Sequence, residues 1–119
     1  MTPVELLEAA RQLIRRHDAA TAGLWPRAGA LLARQALEEA LDAYWNARGL
    51  ALGECPMRPQ LVCLREYLPD TELAGRVEHA WSALSRACHH HPYELAPTAG
   101  ELEGWVQVVG EFVTNAEVA

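Results

Sequence analysis

ALLARQALEEALDAYWNARG, residues 30–49, decides the fold. Leu31, Leu32, Leu37, Leu41, Tyr44 and Trp45 recur at helical separations, which gathers them on one side of an α-helix. Arg34 and Glu38 stand four apart on its flank and predict an ion pair. Pro26 marks the start, and Gly49 supplies a stop after Asn46 or Arg48. A helix of this length with one apolar face needs other helices to cover it.

The rest of the chain supplies them. Thr2-Pro3-Val4-Glu5 is a capping box with proline at the first helical position. Leu6, Leu7, Ala10, Leu13 and Ile14 follow as the inward face of a helix expected to run to about Ala20, with Ala22-Gly23 as the break. Downstream, Gly53 to Pro59 reads as a loop. Leu61, Val62, Leu64 and Leu68 mark a short helix stopped by Pro69. Asp70 or Thr71 caps the next helix, whose stripe is Leu73, Val77, Ala80, Trp81, Leu84 and Cys88. That helix is expected to reach the histidines and to end at Pro92, because the residue before a proline is pushed out of the helical region. Thr98-Ala99-Gly100-Glu101 is a second capping box, and Leu102, Trp105, Val106, Val109, Phe112 and Val113 face inward after it. The expected fold is all-α, a single domain over 1–119 forming an up-and-down bundle of four to five helices.

Composition narrows the function. The chain has 119 residues, half of them hydrophobic, enough for one core, and no run approaches the length of a membrane span. The first residues show no basic start, apolar stretch or cleavage site, so no export signal is expected. Cys55, Cys63 and Cys88 are odd in number and lack C-x-x-C spacing, which suits a reducing cytoplasm. The net charge is −6, and all ten basic residues are arginine. Such a chain lacks a broad positive surface for nucleic acid, although a few arginines converging, as two copies would allow, could hold RNA locally.

SRACHHHPYELAPT, residues 85–98, carries the candidate chemistry. Adjacent helical residues point about 100° apart, so His89, His90 and His91 cannot converge on one ion while helical, and no metal or cofactor is expected. A second reading makes them a polar helix end, where imidazoles and Arg86 suit the carbonyl terminus. A third is phosphoryl chemistry. Cutting RNA without a metal needs a base for the 2′-hydroxyl proton, an acid for the leaving oxygen, and fixed positive charge on the phosphate. Histidine can serve the first two needs and a forked guanidinium the third. Arg86 and His91 would diverge by roughly 140° on a straight helix, and the break at Pro92 can turn His91 back. Two copies about a twofold axis would double the set.

At these residues the sequence resembles the HEPN superfamily, helical-bundle proteins marked by R-x4-6-H. Arg86 and His91 match with four residues between, and His91-Pro92-Tyr93 matches the H-x-Y extension. The segment 30–49, with Gln35 and Glu38 at its polar positions, is similar to the family's alanine-rich second helix. The resemblance implies a homodimer in which both motifs line one cleft. It implies metal-independent endoribonuclease activity on RNA in toxin or defence systems, with Arg86 as phosphate clamp and His91 as acid–base. It also implies a possible nucleotidyltransferase-type antitoxin as partner, with Tyr93 as the residue it would modify. His90 and Glu38 are the further candidates for contact with substrate or for orienting Arg86. Ala87 departs from the polar residue common after the arginine. The alternative is a non-catalytic dimer that binds a nucleotide or a protein.

Other residues have plainer readings. Trp81 and Trp105 fall on expected core faces, whereas Trp25, at the entrance to the second helix, is the better interface candidate. Cys88 has no base placed to activate it and reads as a small buried apolar residue. His79 reads as a solvated helix residue, and Glu94, Glu101 and Glu103 suit the start of the last helix.

Overall fold

The computed structural model of the protein describes residues 1–16, 18–20, 22–89 and 95–118. The expectations about His90, His91, Pro92 and Tyr93 lie outside the described residues. Among those described, there are five α-helices and one 3-10 turn, with no strand. The helices are α1 (Pro3–Arg15), α2 (Trp25–Ala47), α3 (Met57–Tyr67), α4 (Thr71–Cys88) and α5 (Ala99–Val118). No helix among the described residues is long and apolar enough to cross a membrane.

Local chemistry fixes most of the helix starts. Thr2 accepts from the Glu5 amide at 3.1 Å while the Glu5 carboxylate accepts from the Thr2 amide at 3.3 Å. Thr98 and Glu101 repeat the arrangement at the start of α5, at 3.1 and 3.0 Å. Asp70 caps α4 by accepting from the Leu73 amide. Each cap satisfies donors that the first helical turn would leave orphaned. α1 stops at Arg15, short of the expected Ala20. Asp18 explains the difference, because its Oδ1 accepts from the Ala20 amide at 2.9 Å and closes a local turn that competes with the helix.

Pairwise contacts set the topology. α2 and α5 each pack against both α1 and α4, and against one another. Arg15 meets Glu103, Arg76 meets Glu111, and Arg27 reaches Cys88, so α1 and α5, α4 and α5, and α2 and α4 all run antiparallel. The result is an up-and-down bundle with α3 set beside it. The core includes Leu6, Leu37, Leu41, Trp45, Leu84 and Phe112. Tyr44, Trp45, Phe112 and Tyr67 form a chain of ring contacts with centroids 5.1 to 5.8 Å apart. Each such pair adds about 0.5–1.5 kcal/mol beyond its buried area.

The inward face of α2 differs from the expected one. Its buried residues are Pro26, Gly29, Ala30, Ala33, Ala36, Leu37, Ala40, Leu41, Tyr44 and Trp45. Leu31 lies outside this stripe and is 44% exposed. The first half of the helix therefore packs through glycine and alanine, which bring backbones close: a Cβ on Gly29 would lie 3.1 Å from Leu102 of α5. Val62 of α3 is likewise exposed rather than buried, and Trp81 and Trp105 are half-buried at the edge of the core. In the opposite direction, Gln60 is buried. Its Oε1 accepts from Trp45 Nε1 at 3.1 Å and its Nε2 donates to the Cys55 carbonyl at 2.7 Å, so both polar ends are satisfied.

Candidate functional site

α4 buries Leu73, Ala74, Val77, Ala80, Ala83, Leu84, Ala87 and Cys88, which turns Arg86 outward in its last turn. The helix ends at Cys88, four residues before Pro92, with His89 as its cap. A continuing helix would ask residue 92 to donate to the Cys88 carbonyl, and proline has no N–H to give. Arg27 of α2 takes that carbonyl instead, with Nε donating at 2.9 Å. Arg34, one heptad along α2, places Nη1 3.4 Å from His89 Nε2 and donates through Nε to Glu38 at 3.0 Å. A guanidinium only donates, so His89 Nε2 is the acceptor in this contact. Burial pushes the Cys88 thiol up, against the opposing influence of Arg34, so the sulfur remains a protonated, inward-facing group.

Glu38 is thus committed to Arg34, and through it to the end of α4. Arg86 is exposed and forms no ion pair among the described residues, whereas Arg15, Arg34, Arg65 and Arg76 are each matched with a glutamate. Arg86 lines two surface hollows. One, of about 500 Å³, is walled by Arg58 of α3 and by Trp81, Ser82, Ser85, Arg86 and His89. The other, of about 470 Å³, lies toward α5 and includes Leu95, Pro97, Thr98, Glu101 and Trp105. A hollow of about 530 Å³ on the outer side of α1 is lined, among the described residues, by Glu8, Ala9, Gln12, Leu13 and Arg16. One helix face without a second wall offers a ligand little enclosure.

Of the residues expected from sequence, the structure therefore places Arg86 at an open cationic helix end and Glu38 one arginine away from it. His90, His91 and Tyr93 lie outside the described residues, so their approach to Arg86 is not described. Among the described residues, no group of three or more His, Cys, Asp or Glu is placed to hold a metal ion. Sequence reasoning missed Arg27, Arg34 and Arg58 as parts of this end of the molecule. The seven-residue spacing of Arg27 and Arg34 does put them on one face of α2, a signal that could have grouped that pair. Arg58 carries no such signal. No protein-family model matches the chain, and neither a curated protein nor a solved structure does.

Proposed function

We propose that the protein is a HEPN-type, metal-independent endoribonuclease that acts as a homodimer in the cytoplasm, within a toxin or defence system. The observation that carries this reading is Arg86: exposed, without an ion pair among the described residues, and two residues from a helix end ringed by Arg27, Arg34 and Arg58. In a protein of net charge −6, such a concentration of guanidinium groups is a local attractor for phosphate. In the proposed step a histidine removes the 2′-hydroxyl proton as O2′ bonds to phosphorus. The bond from phosphorus to O5′ then breaks, and O5′ receives a proton from an acid. His91 and its copy in a second subunit are assigned these transfers, with Arg86 holding the phosphate oxygens as negative charge builds.

A dimer is supported by the outer side of α2. There Leu24 and Leu31, one heptad apart, are 68% and 44% exposed beside Arg27 and Arg34. An apolar pair next to the cationic end is a surface on which two copies could bring their sites together. Initial rates of RNA cleavage test the reading. Arg86→Ala and His91→Ala should each reduce the rate by about a hundredfold or more while helical circular dichroism stays unchanged. Equal cleavage by the parent and both variants would overturn it.

Ala87 favours a second reading, a dimer that binds a nucleotide or protein and cuts nothing. It is buried, with 8% exposure, and offers no polar group beside Arg86. A parent chain that is harmless when expression is induced and leaves RNA intact would favour this form. A nucleotidyltransferase-type partner acting on Tyr93 belongs to the first reading. Mass spectrometry after co-expression should then show a nucleotide added to the Tyr93 peptide, and an unmodified peptide would remove that partner.

A further inference from the structure

We propose that the groove between α3 and the last two turns of α4 is an oxyanion subsite that holds a second phosphate of the bound RNA. Its walls are Arg58, Trp81, Ser82, Ser85, Arg86 and His89, and among the described residues no carboxylate lines it. The two arginines come from different helices. Neither is in an ion pair among the described residues, in contrast to the glutamate-matched arginines elsewhere on the surface. Two forks lining one groove suit the several oxygens of one phosphate group, which can accept from both at once.

A second, separate observation concerns two of the lining residues. Trp81 Nε1 and Ser85 Oγ are buried, and neither has a hydrogen-bond partner among the described residues. Buried donors left unpaired cost free energy, and an indole N–H can be satisfied only by an acceptor. Trp45 shows the usual solution, since its indole donates to Gln60. The described residues of the groove leave that donor unpaired, and an anion entering between Arg58 and Arg86 would supply an acceptor for it. The Ser85 hydroxyl turns freely about its bond and can follow the same ligand. The element carrying Arg58 adds to the effect. α3 has no side-chain cap and no acid in its first turn, leaving the positive end of its dipole unopposed.

Unpaired donors beside two fixed cations favour a multiply charged anion with several oxygens. Assigning that anion to RNA rests on the ribonuclease reading, because Arg86 belongs to both sites; the oxyanion subsite itself needs only the groove. Binding can therefore be tested without cleavage. In the full-length ¹⁵N-labelled protein, the indole resonance of Trp81 is identified by its disappearance in Trp81→Phe. Titration with inorganic phosphate, against chloride at equal ionic strength, should move that resonance while those of Trp25, Trp45 and Trp105 stay in place. Arg58→Ala should weaken the titration by about tenfold, the loss of a charge-assisted contact. An unmoved Trp81 resonance, or a titration unchanged in Arg58→Ala, would overturn the subsite. A short 2′-O-methyl RNA, which cannot be cut, should displace the phosphate; failure to do so overturns the assignment to RNA. A chain that cuts RNA without the Trp81 response retains the ribonuclease reading and loses the subsite. One that responds without cutting does the reverse.

Discussion

On one side of Arg86 the wall carries Arg58, His89, Ser82 and Ser85, whereas on the other it carries Glu101 among Leu95, Ala96, Pro97 and Trp105. The two hollows are of similar size and share one guanidinium, yet among the described residues an acid lines the second and none lines the first. The difference has a structural origin. Glu101 accepts from the Thr98 amide as half of the capping box that starts α5, so the requirement to begin a helix places an acid beside Arg86. α3 begins without such an acid and leaves its neighbourhood positive. Helix capping thereby leaves the α3 side the more positive of the two, a consequence of local folding chemistry for the electrostatics around Arg86.

Changes to the shared guanidinium test this contrast most severely. Arg86→Lys keeps the charge and loses the fork, so cleavage should fall by about a hundredfold, near the level of Arg86→Ala. A lysine variant with parental initial rates would mean that charge alone suffices there. Next in size, Ser82→Asp gives the α3 wall the acid it lacks. RNA affinity should drop about tenfold at low ionic strength, with the gap to the parent closing as salt is added. Equal affinity in a filter-binding series would show that RNA does not use this wall. Thr98→Ala acts on the opposite side by removing half of the α5 box. It should cost about 1 kcal/mol and lower the melting temperature by about 4 °C. The phosphate response of Trp81 should persist in that variant, and its loss would mean that the two walls are not independent.

The smallest effect is at the corresponding box of α1. Hydrogen bonding from the Thr2 side chain, then its backbone, holds the Glu5 carboxyl below the ordinary carboxylate range. A depressed folded-state value adds stability above the unfolded value, and that contribution disappears as pH falls through the folded one. Amide exchange in the first turn of α1, measured relative to the intrinsic rate at each pH, should therefore quicken on acidification to below the usual carboxylate range. The acceleration should vanish in Glu5→Gln, and an unaltered acid response in that variant would contradict the assignment.

The parts of this structure legible in the sequence are those written within a few residues. Thr2 with Glu5, Asp70 with Leu73, and Thr98 with Glu101 each complete a helix start within three positions, and all three starts stand where the sequence places them. The inward side of α2 was legible only in its second half. From Gly29 to Ala36 its buried stripe is largely alanine, which contrasts little with its surroundings, so the larger Leu31 claimed a place that it does not occupy. Trp81 and Trp105 were drawn into the core by their apolarity, although their rings end at its margin beside the two hollows. At the site, Arg86 stood out by its position near the histidines. Arg58 did not, because 28 residues of sequence separate two side chains that meet only when α3 folds back on α4. The Arg27 contact with the Cys88 carbonyl spans 61 residues and has no local signature.

Gln60 sits two residues after Arg58 on α3, pinned between an indole of α2 and the carbonyl of Cys55. The helix that carries Arg58 is consequently anchored from inside the bundle, through the indole of Trp45. A substitution that loosens this internal clasp would free the wall of the groove that Arg58 lines, in a molecule whose outer surface had not been touched.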